Sequence, residues 1–288
     1  MADSAHVTFF SREKTRCPIC ETLFGREELR TGRGRLIAGN LTDELRRNYE
    51  PSRKFGEVTP LLYPVTVCPS CYYAAYDRDF LDIPEEAKAE IRLRTDARLR
   101  SFHALDPVID FNGPRDLTEG LASYFFAAVC YDSFPKEFTP TFKQGVSTLR
   151  GAWLCSDLHR KDSSAHWDQV AMIFYRKARF FYRESIDREQ NGTESIPNTL
   201  NLGPDIDKNY GYDGVLYITG LLEFKYGPRK DPVRRTQELE RAKRTVSRLF
   251  GMGKASKSKP SALLDMARDL FAEITDALGE LSGQKHDG

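Results

Sequence analysis

The sequence predicts a mainly α protein that opens with a small zinc-ribbon or knuckle α+β module and continues as TPR-like stacked helical hairpins. Three observations predict it. Two Cys-Pro-x-Cys pairs, Cys17/Cys20 and Cys68/Cys71, both fall before residue 81. The short β-branched and aromatic runs are confined to the same stretch. From there on, apolar residues recur at helical spacing. We therefore divide the chain into a four-cysteine zinc-knuckle module over 1–81 and a TPR-like helical domain over 82–288, the latter carrying a mobile 191–213 loop.

In the first part, Val7–Phe10 and Tyr63–Val67 have strand length and composition. Thr31-Gly32-Arg33-Gly34 has turn chemistry, and Thr42–Tyr49 reads as a short helix. In the second, Asp82 with Glu85 around Pro84 signals a helix start, and basic residues gather toward Arg98 and Arg100, as a helix C-terminus favours. Asp106-Pro107 and Gly113-Pro114 mark a break, and Asp116 with Glu119 opens the next helix, through Leu121, Phe125 and Val129.

Five further stripes follow: Phe142–Val146–Leu149–Trp153, Val170–Phe174–Ala178–Phe181, Val215–Ile218–Leu222, Leu239–Ala242–Val246–Leu249 and Ala267–Leu270–Ile274–Leu281. The polar connection from Asn191 to Asp213 is long enough to be mobile or functional. No exact 34-residue repeat aligns, so the array is repeat-like rather than a strict repeat.

Composition narrows the function classes. A hydrophobic share of 40% supports a core, and 30% charged residues suit a soluble surface. No run of eighteen apolar residues is present, and MADSAHVTFF lacks the basic and apolar regions of a secretory signal. The expected location is the cytoplasm, where paired cysteines more often bind metal than each other. A net charge of +1 gives no global attraction to nucleic acid or anionic lipid.

The chemistry rests on Cys17-Pro18-Ile19-Cys20 and Cys68-Pro69-Ser70-Cys71, separated by residues 21–67. A CxxC turn places two thiolates on one side of a tight loop, and proline after the first cysteine presets its φ. Four soft thiolates favour Zn2+ over hard cations. Lengthening the closed loop from the usual ~17 residues to 47 costs only about 0.9 kcal/mol. Against zinc-binding energies of about 10–16 kcal/mol, that penalty does not decide the matter. A closed four-thiolate site leaves no position for water or substrate, which makes one structural ion the expectation. Two redox dithiols and an iron–sulfur cluster are the alternatives. The formal −2 charge of such a site could be offset by Arg12, Lys14, Arg16 and Arg26.

The segment from Tyr63 through CPSCYYAAYDRDF, with CPIC upstream, resembles the bacterial family known as domain of unknown function 2225. The resemblance covers most of the chain, including the stretch Asp43–Tyr49 and GVLYITGLLEFKYG, where Gly220 takes a close-packing position. It implies metal ligation by Cys17, Cys20, Cys68 and Cys71 and a TPR-like helical second half, and it implies no activity. One departure is Tyr72, where glycine usually follows the last cysteine; a positive φ is costlier for tyrosine, so the second knuckle is expected to differ in shape.

Other candidates are weaker. Cys155, His159 and His166 could form a metal or nucleophile site, but a buried thiol beside a helix-end histidine is the plainer reading. Cys130 reads as core. Residues 229–259 hold eleven basic and three acidic residues, a net +8, and residues 260–288 a net −4. Arg234, Arg235, Arg241, Lys243, Arg244 and Arg248 are the candidate partner surface, against the plainer reading of a helix pair with complementary flanks. Gly251-Met252-Gly253-Lys254 fails as a phosphate loop, because Arg248 and Ala255 stand where glycine and Ser/Thr are needed. No hydrolase, metalloprotease or kinase signature is present. These observations predict a non-catalytic zinc-binding adaptor that recognises a protein partner through its helical surface. The rivals are a nucleic-acid-binding protein using the basic stretch and a thiol redox protein.

Overall fold

A computed structural model describes all residues except 1–6, 31, 33, 104–107, 197–202, 251–259 and 284–288. It is mainly α, with small antiparallel sheets at the N-terminal end, as expected. Among the described residues, no strand lies beyond residue 76. The sheets are four two-stranded ladders: β1 (Thr8–Phe10) with β4 (Glu27–Leu29), β2 (Thr15–Arg16) with β3 (Leu23–Phe24), β5 (Ile37–Leu41) with β6 (Arg47–Glu50), and β7 (Val65–Val67) with β8 (Ala74–Tyr76). None is wide enough to stand alone.

Thr42–Tyr49 is not the helix its charged residues suggest. Thr42–Arg46 form the tip of the β5–β6 hairpin, where Thr42 accepts the amide of Leu45 at 3.0 Å and donates its own to Arg46 at 2.8 Å. Leu45 is fully buried with φ 59°. Tertiary burial overrides local propensity here, because the tip inserts into the helical part and a helix could not deliver Glu44 and Leu45 there together.

The helices are α1 (Asp77–Leu81), α2 (Glu85–Leu93), α3 (Thr95–His103), α4 (Leu117–Cys130), α5 (Pro140–Lys161), α6 (Trp167–Gln190), α7 (Gly211–Tyr226), α8 (Pro232–Ser247) and α9 (Ser261–Gly283). Asp116 and Glu119 form the expected capping box on α4. The box expected at Asp82 and Glu85 does not form: Pro84 is the N-cap of α2, without a side-chain cap. Asp231 caps α8 through the amides of Val233 and Arg234, with Pro232 at the first position.

From α4 to α9 each helix packs on its neighbour in sequence, with α5 between α4 and α6. Two glycines permit close approaches between neighbouring helices. A Cβ on Gly151 would lie 2.6 Å from the Phe174 ring, and one on Gly220 would lie 2.3 Å from Val246, the close-packing role expected there. The buried apolar residues form one contiguous core from Cys17 to Ile274, with Trp153 among its largest members.

The long connection after α6 is anchored on both sides of residues 197–202, which lie outside the described residues. Glu194 accepts from the Thr141 hydroxyl at 2.6 Å and from Arg188 at 2.7 Å, and Ile196 is fully buried. Asp205, also fully buried, accepts the backbone amides of Arg47 and Ile206, each at 2.6 Å. Asp106-Pro107 and, of the expected turn, Thr31 and Arg33 lie outside the described residues, whereas Gly32 (φ 77°) and Gly34 (φ 72°) have the left-handed backbone a turn uses.

Candidate metal centre

Each cysteine pair occupies the turn of a two-stranded ladder, β2–β3 for the first and β7–β8 for the second. The turns carry the same hydrogen bonds. Glu21 and Tyr72 donate their amides to the carbonyls of Cys17 (2.9 Å) and Cys68 (3.0 Å), while Cys17 and Cys68 donate to Thr22 and Tyr73, both at 2.9 Å. Glu21 (φ 63°) and Tyr72 (φ 52°) occupy the same left-handed position.

The second knuckle therefore matches the first, and the difference in shape expected at Tyr72 does not occur. A left-handed tyrosine costs about 1–2 kcal/mol. Packing offsets that cost: the Tyr72 ring lies 4.9 Å from Phe126 and 5.7 Å from Phe111, and its hydroxyl reaches the Ile109 carbonyl at 3.4 Å.

The two turns face each other. Their Sγ atoms all lie within 4.8 Å of one another, with Cys17–Cys71 at 3.7 Å and Cys20–Cys68 at 3.5 Å. Tetrahedral ligands with a metal–sulfur bond of about 2.3 Å stand about 3.8 Å apart, so the donor set fits such an ion. Three of the cysteines are buried and Cys20 is exposed at one edge.

The electrostatics require a cation if all four are to ionise. Hydrogen bonding to Cys68, then burial, pushes the Cys17 thiol up to about 12. Contact with Cys17 and Cys68, then burial, raises Cys71 far more, while accepting from Cys17 and Cys71 pulls Cys68 well down. Cys17 and Cys71 therefore hold their protons unless a metal displaces them.

The cations that support the site are not those near it in sequence. Arg26 turns toward Glu28 and Asp77, each at 3.3 Å, and Arg12, Lys14 and Arg16 are exposed. Instead, Arg98 of α3, 2% exposed, donates through Nε (3.0 Å) and one terminal nitrogen (2.9 Å) to the Cys71 carbonyl. Arg92 of α2 donates to the Ile19 carbonyl at 2.9 Å. Each knuckle thus has one helical arginine on its backbone, fixing the turn and countering thiolate charge. From sequence this basic cluster reads as a helix-end feature; only the packing of α2 and α3 against the knuckles reveals its role.

Among the described residues, these four cysteines are the one group of three or more side chains placed to share an ion. Cys155 and Cys130 are buried in the core, and burial raises both thiols. His159 lies 3.9 Å from Asp168, away from any thiol cluster, and His166 is the left-handed N-cap of α6.

The basic stretch is dispersed. Arg235 is buried and donates to the carbonyls of Glu223 (3.0 Å) and Phe224 (2.8 Å), and Arg241 pairs with Asp187 of α6. Lys243 lies over the Phe271 ring at 4.9 Å and Arg248 over Tyr212 at 5.9 Å. Arg234 and Arg244 remain exposed, the latter 3.9 Å from Glu240. Lys254, Lys257 and Lys259 lie outside the described residues. Among the described residues, the ion pairs α8 makes with another helix run to α6, through Arg183–Glu238 (2.7 Å) and Arg241–Asp187, and none runs to the last helix. Among the described residues, no helix is long and apolar enough to cross a membrane.

An uncharacterized protein of Borreliella burgdorferi is 38% identical over 275 residues, covering 96% of this chain and 99% of its own length. No solved structure matches the chain. The model of a family described as "Uncharacterized protein conserved in bacteria (DUF2225)" matches residues 10–274, and the chain belongs to that family.

Proposed function

We propose that the protein is a non-catalytic cytoplasmic adaptor in which one structural Zn2+, held by Cys17, Cys20, Cys68 and Cys71, braces a TPR-like helical surface that recognises a protein partner. Four thiolates with no hard donor among them favour zinc, and a closed tetrahedral set leaves no open position for substrate. The observation that carries the reading is the route between the two knuckles. The β5–β6 hairpin leaves the first pair, inserts Glu44 and Leu45 into the helical part and returns to the second. Closing the metal loop thereby fixes the hairpin, and the hairpin fixes α5, α6 and α7 relative to one another.

The exposed part of the candidate partner surface is Arg234 and Arg244 on α8, with Arg248 just after it. Affinity capture from native cytoplasm, compared between the wild type and an Arg234→Glu/Arg244→Glu variant, tests the reading. A reproducible protein lost from the variant supports it, and the absence of any reproducible partner counts against it. Nucleic-acid binding has less support, because Arg235 and Arg241 have their charge engaged internally. Titration with DNA or RNA at two salt concentrations separates the two readings.

A further inference from the structure

A cavity of about 600 Å³ opens between the β8–α1 segment and α5, within the range of small-molecule sites. Phe138, Phe142, Val146 and Ile206 give it an apolar wall, and Arg150 lies at its lining. Arg150 is 5% exposed. Its Nε donates to the Pro204 carbonyl at 2.8 Å, and its guanidinium stands over the rings of Tyr76 (5.6 Å) and Tyr124 (5.9 Å).

Among the described residues no carboxylate lies within ion-pair distance of Arg150. Asp205 contributes a favourable field, but its own hydrogen bonds go to the amides of Arg47 and Ile206. The Tyr76 and Tyr124 hydroxyls and the Pro204 carbonyl hold the guanidinium charged in its buried place, yet it has no direct anion and lies on the cavity lining. Of the other two cations of the wall, Arg78 is exposed, and Lys143 pairs with Asp79 at 2.5 Å, where the Tyr131 hydroxyl donates to the same carboxylate.

We propose that this cavity binds a monocarboxylate with an apolar body, its carboxylate on the Arg150 fork and its hydrocarbon or aromatic part against Phe138, Phe142, Val146 and Ile206. Arginine presents parallel donors that match a carboxylate. A phosphate dianion fits poorly, because Asp77, Asp79 and Glu137 share the same wall. The ligand is either the C-terminal residue of a peptide or a free carboxylic acid, and the inference stands whether or not the adaptor reading does.

Calorimetric titration of the full-length chain with acetyl-Gly-Gly-Phe, its C-terminal amide, 3-phenylpropionate and inorganic phosphate tests it. At least one of the two acids should bind saturably, the amide at least tenfold more weakly than the acid peptide, and phosphate not at all. Tighter binding of the peptide identifies a C-terminus as the source; equal or tighter binding of phenylpropionate identifies a free acid. Arg150→Gln should lower affinity at least tenfold, and Val146→Phe, which fills the cavity and keeps the cation, should do the same. The second variant carries the test if the first fails to fold. No saturable binding of either acid by the wild type, amide binding equal to that of the acid, or unchanged affinity in the folded variants would each overturn the proposal.

Discussion

Glu44, at the tip of the β5–β6 hairpin, accepts the indole N–H of Trp153 at 2.5 Å in the middle of α5. The same carboxylate accepts from the hydroxyls of Tyr175 (3.0 Å) and Tyr226 (3.3 Å) and lies 3.4 Å from the Lys225 ammonium. Donors from α5, α6 and α7 thus converge on one side chain delivered from the segment between the two cysteine turns. Glu44→Ala leaves these buried donors unpaired and should cost about 3 kcal/mol, whereas Glu44→Gln keeps an acceptor and should cost about half as much. Urea unfolding of the two variants checks this, and a Glu44→Ala midpoint indistinguishable from wild type refutes it.

Arg46 provides an independent check on the same joint. Its guanidinium meets Asp157 through two bonds, at 2.9 and 2.5 Å, and lies 5.7 Å from the Trp153 ring centroid. With both partners largely buried, Arg46→Leu should destabilise by about 3 kcal/mol, because Asp157 loses the one cation that approaches it from the hairpin. Arg160 also reaches Asp157, at 2.5 Å from an exposed position, and should soften but not cancel the loss.

At the metal centre, the purified protein should carry one ion per chain. Before chelation the four ligand thiols should resist modification; afterwards all four should react, while Cys130 and Cys155 stay protected in the core of the folded protein. Neighbouring sulfurs and burial push Cys17 up to about 12 and raise Cys71, so both thiols hold protons that the ion must displace. Affinity therefore falls as pH falls. Arg98→Met removes the donors to the Cys71 carbonyl and should weaken metal affinity by about tenfold or more, read by competition with a chromogenic chelator. Full thiol reactivity in the untreated protein would sink the metal assignment.

The two knuckles make opposite predictions for the same backbone conformation. Glu21 is exposed, so Glu21→Gly relieves left-handed strain and should stabilise by about 0.5 kcal/mol after the flexibility glycine adds to the unfolded chain. Tyr72→Gly relieves similar strain but removes a ring packed on Phe111 and Phe126, and should destabilise by about 2–3 kcal/mol. Thermal unfolding of the metal-loaded variants distinguishes the signs.

These outcomes also mark what was legible from sequence. The thiolate pairs were legible because their chemistry is local: two turns, each complete within a few residues. The helices from Leu117 onward were legible because each buries one stripe against its neighbours. The hairpin tip was not, because Asp43-Glu44-Leu45-Arg46 follows helix propensity while its burial is set by Trp153, Tyr175 and Tyr217 more than a hundred residues away. Arg98 escaped for the same reason: a basic residue late in a helix looks like a dipole partner until the Cys71 carbonyl is found beneath it.

The α7–α8 crossing gives a test that couples two residues. Gly220 sits where an added Cβ would fall 2.3 Å from the Val246 Cγ2 atom. Alanine is the better helix former by about 1 kcal/mol, so propensity alone predicts stabilisation. Overpacking of a filled crossing costs about 1–3 kcal/mol and should win, because the Ala242 carbonyl and Leu270 also close on the site, each 3.7 Å from the added carbon. Gly220→Ala is therefore expected to destabilise by about 1–2 kcal/mol. Val246→Ala alone leaves a cavity and should also destabilise. The double variant removes the clashing methyl and puts the new one into the vacated space, so its loss should be smaller than the sum of the two singles by at least ~1 kcal/mol. Strict additivity in a double-mutant cycle by denaturant unfolding would mean that the helices do not cross at this pair.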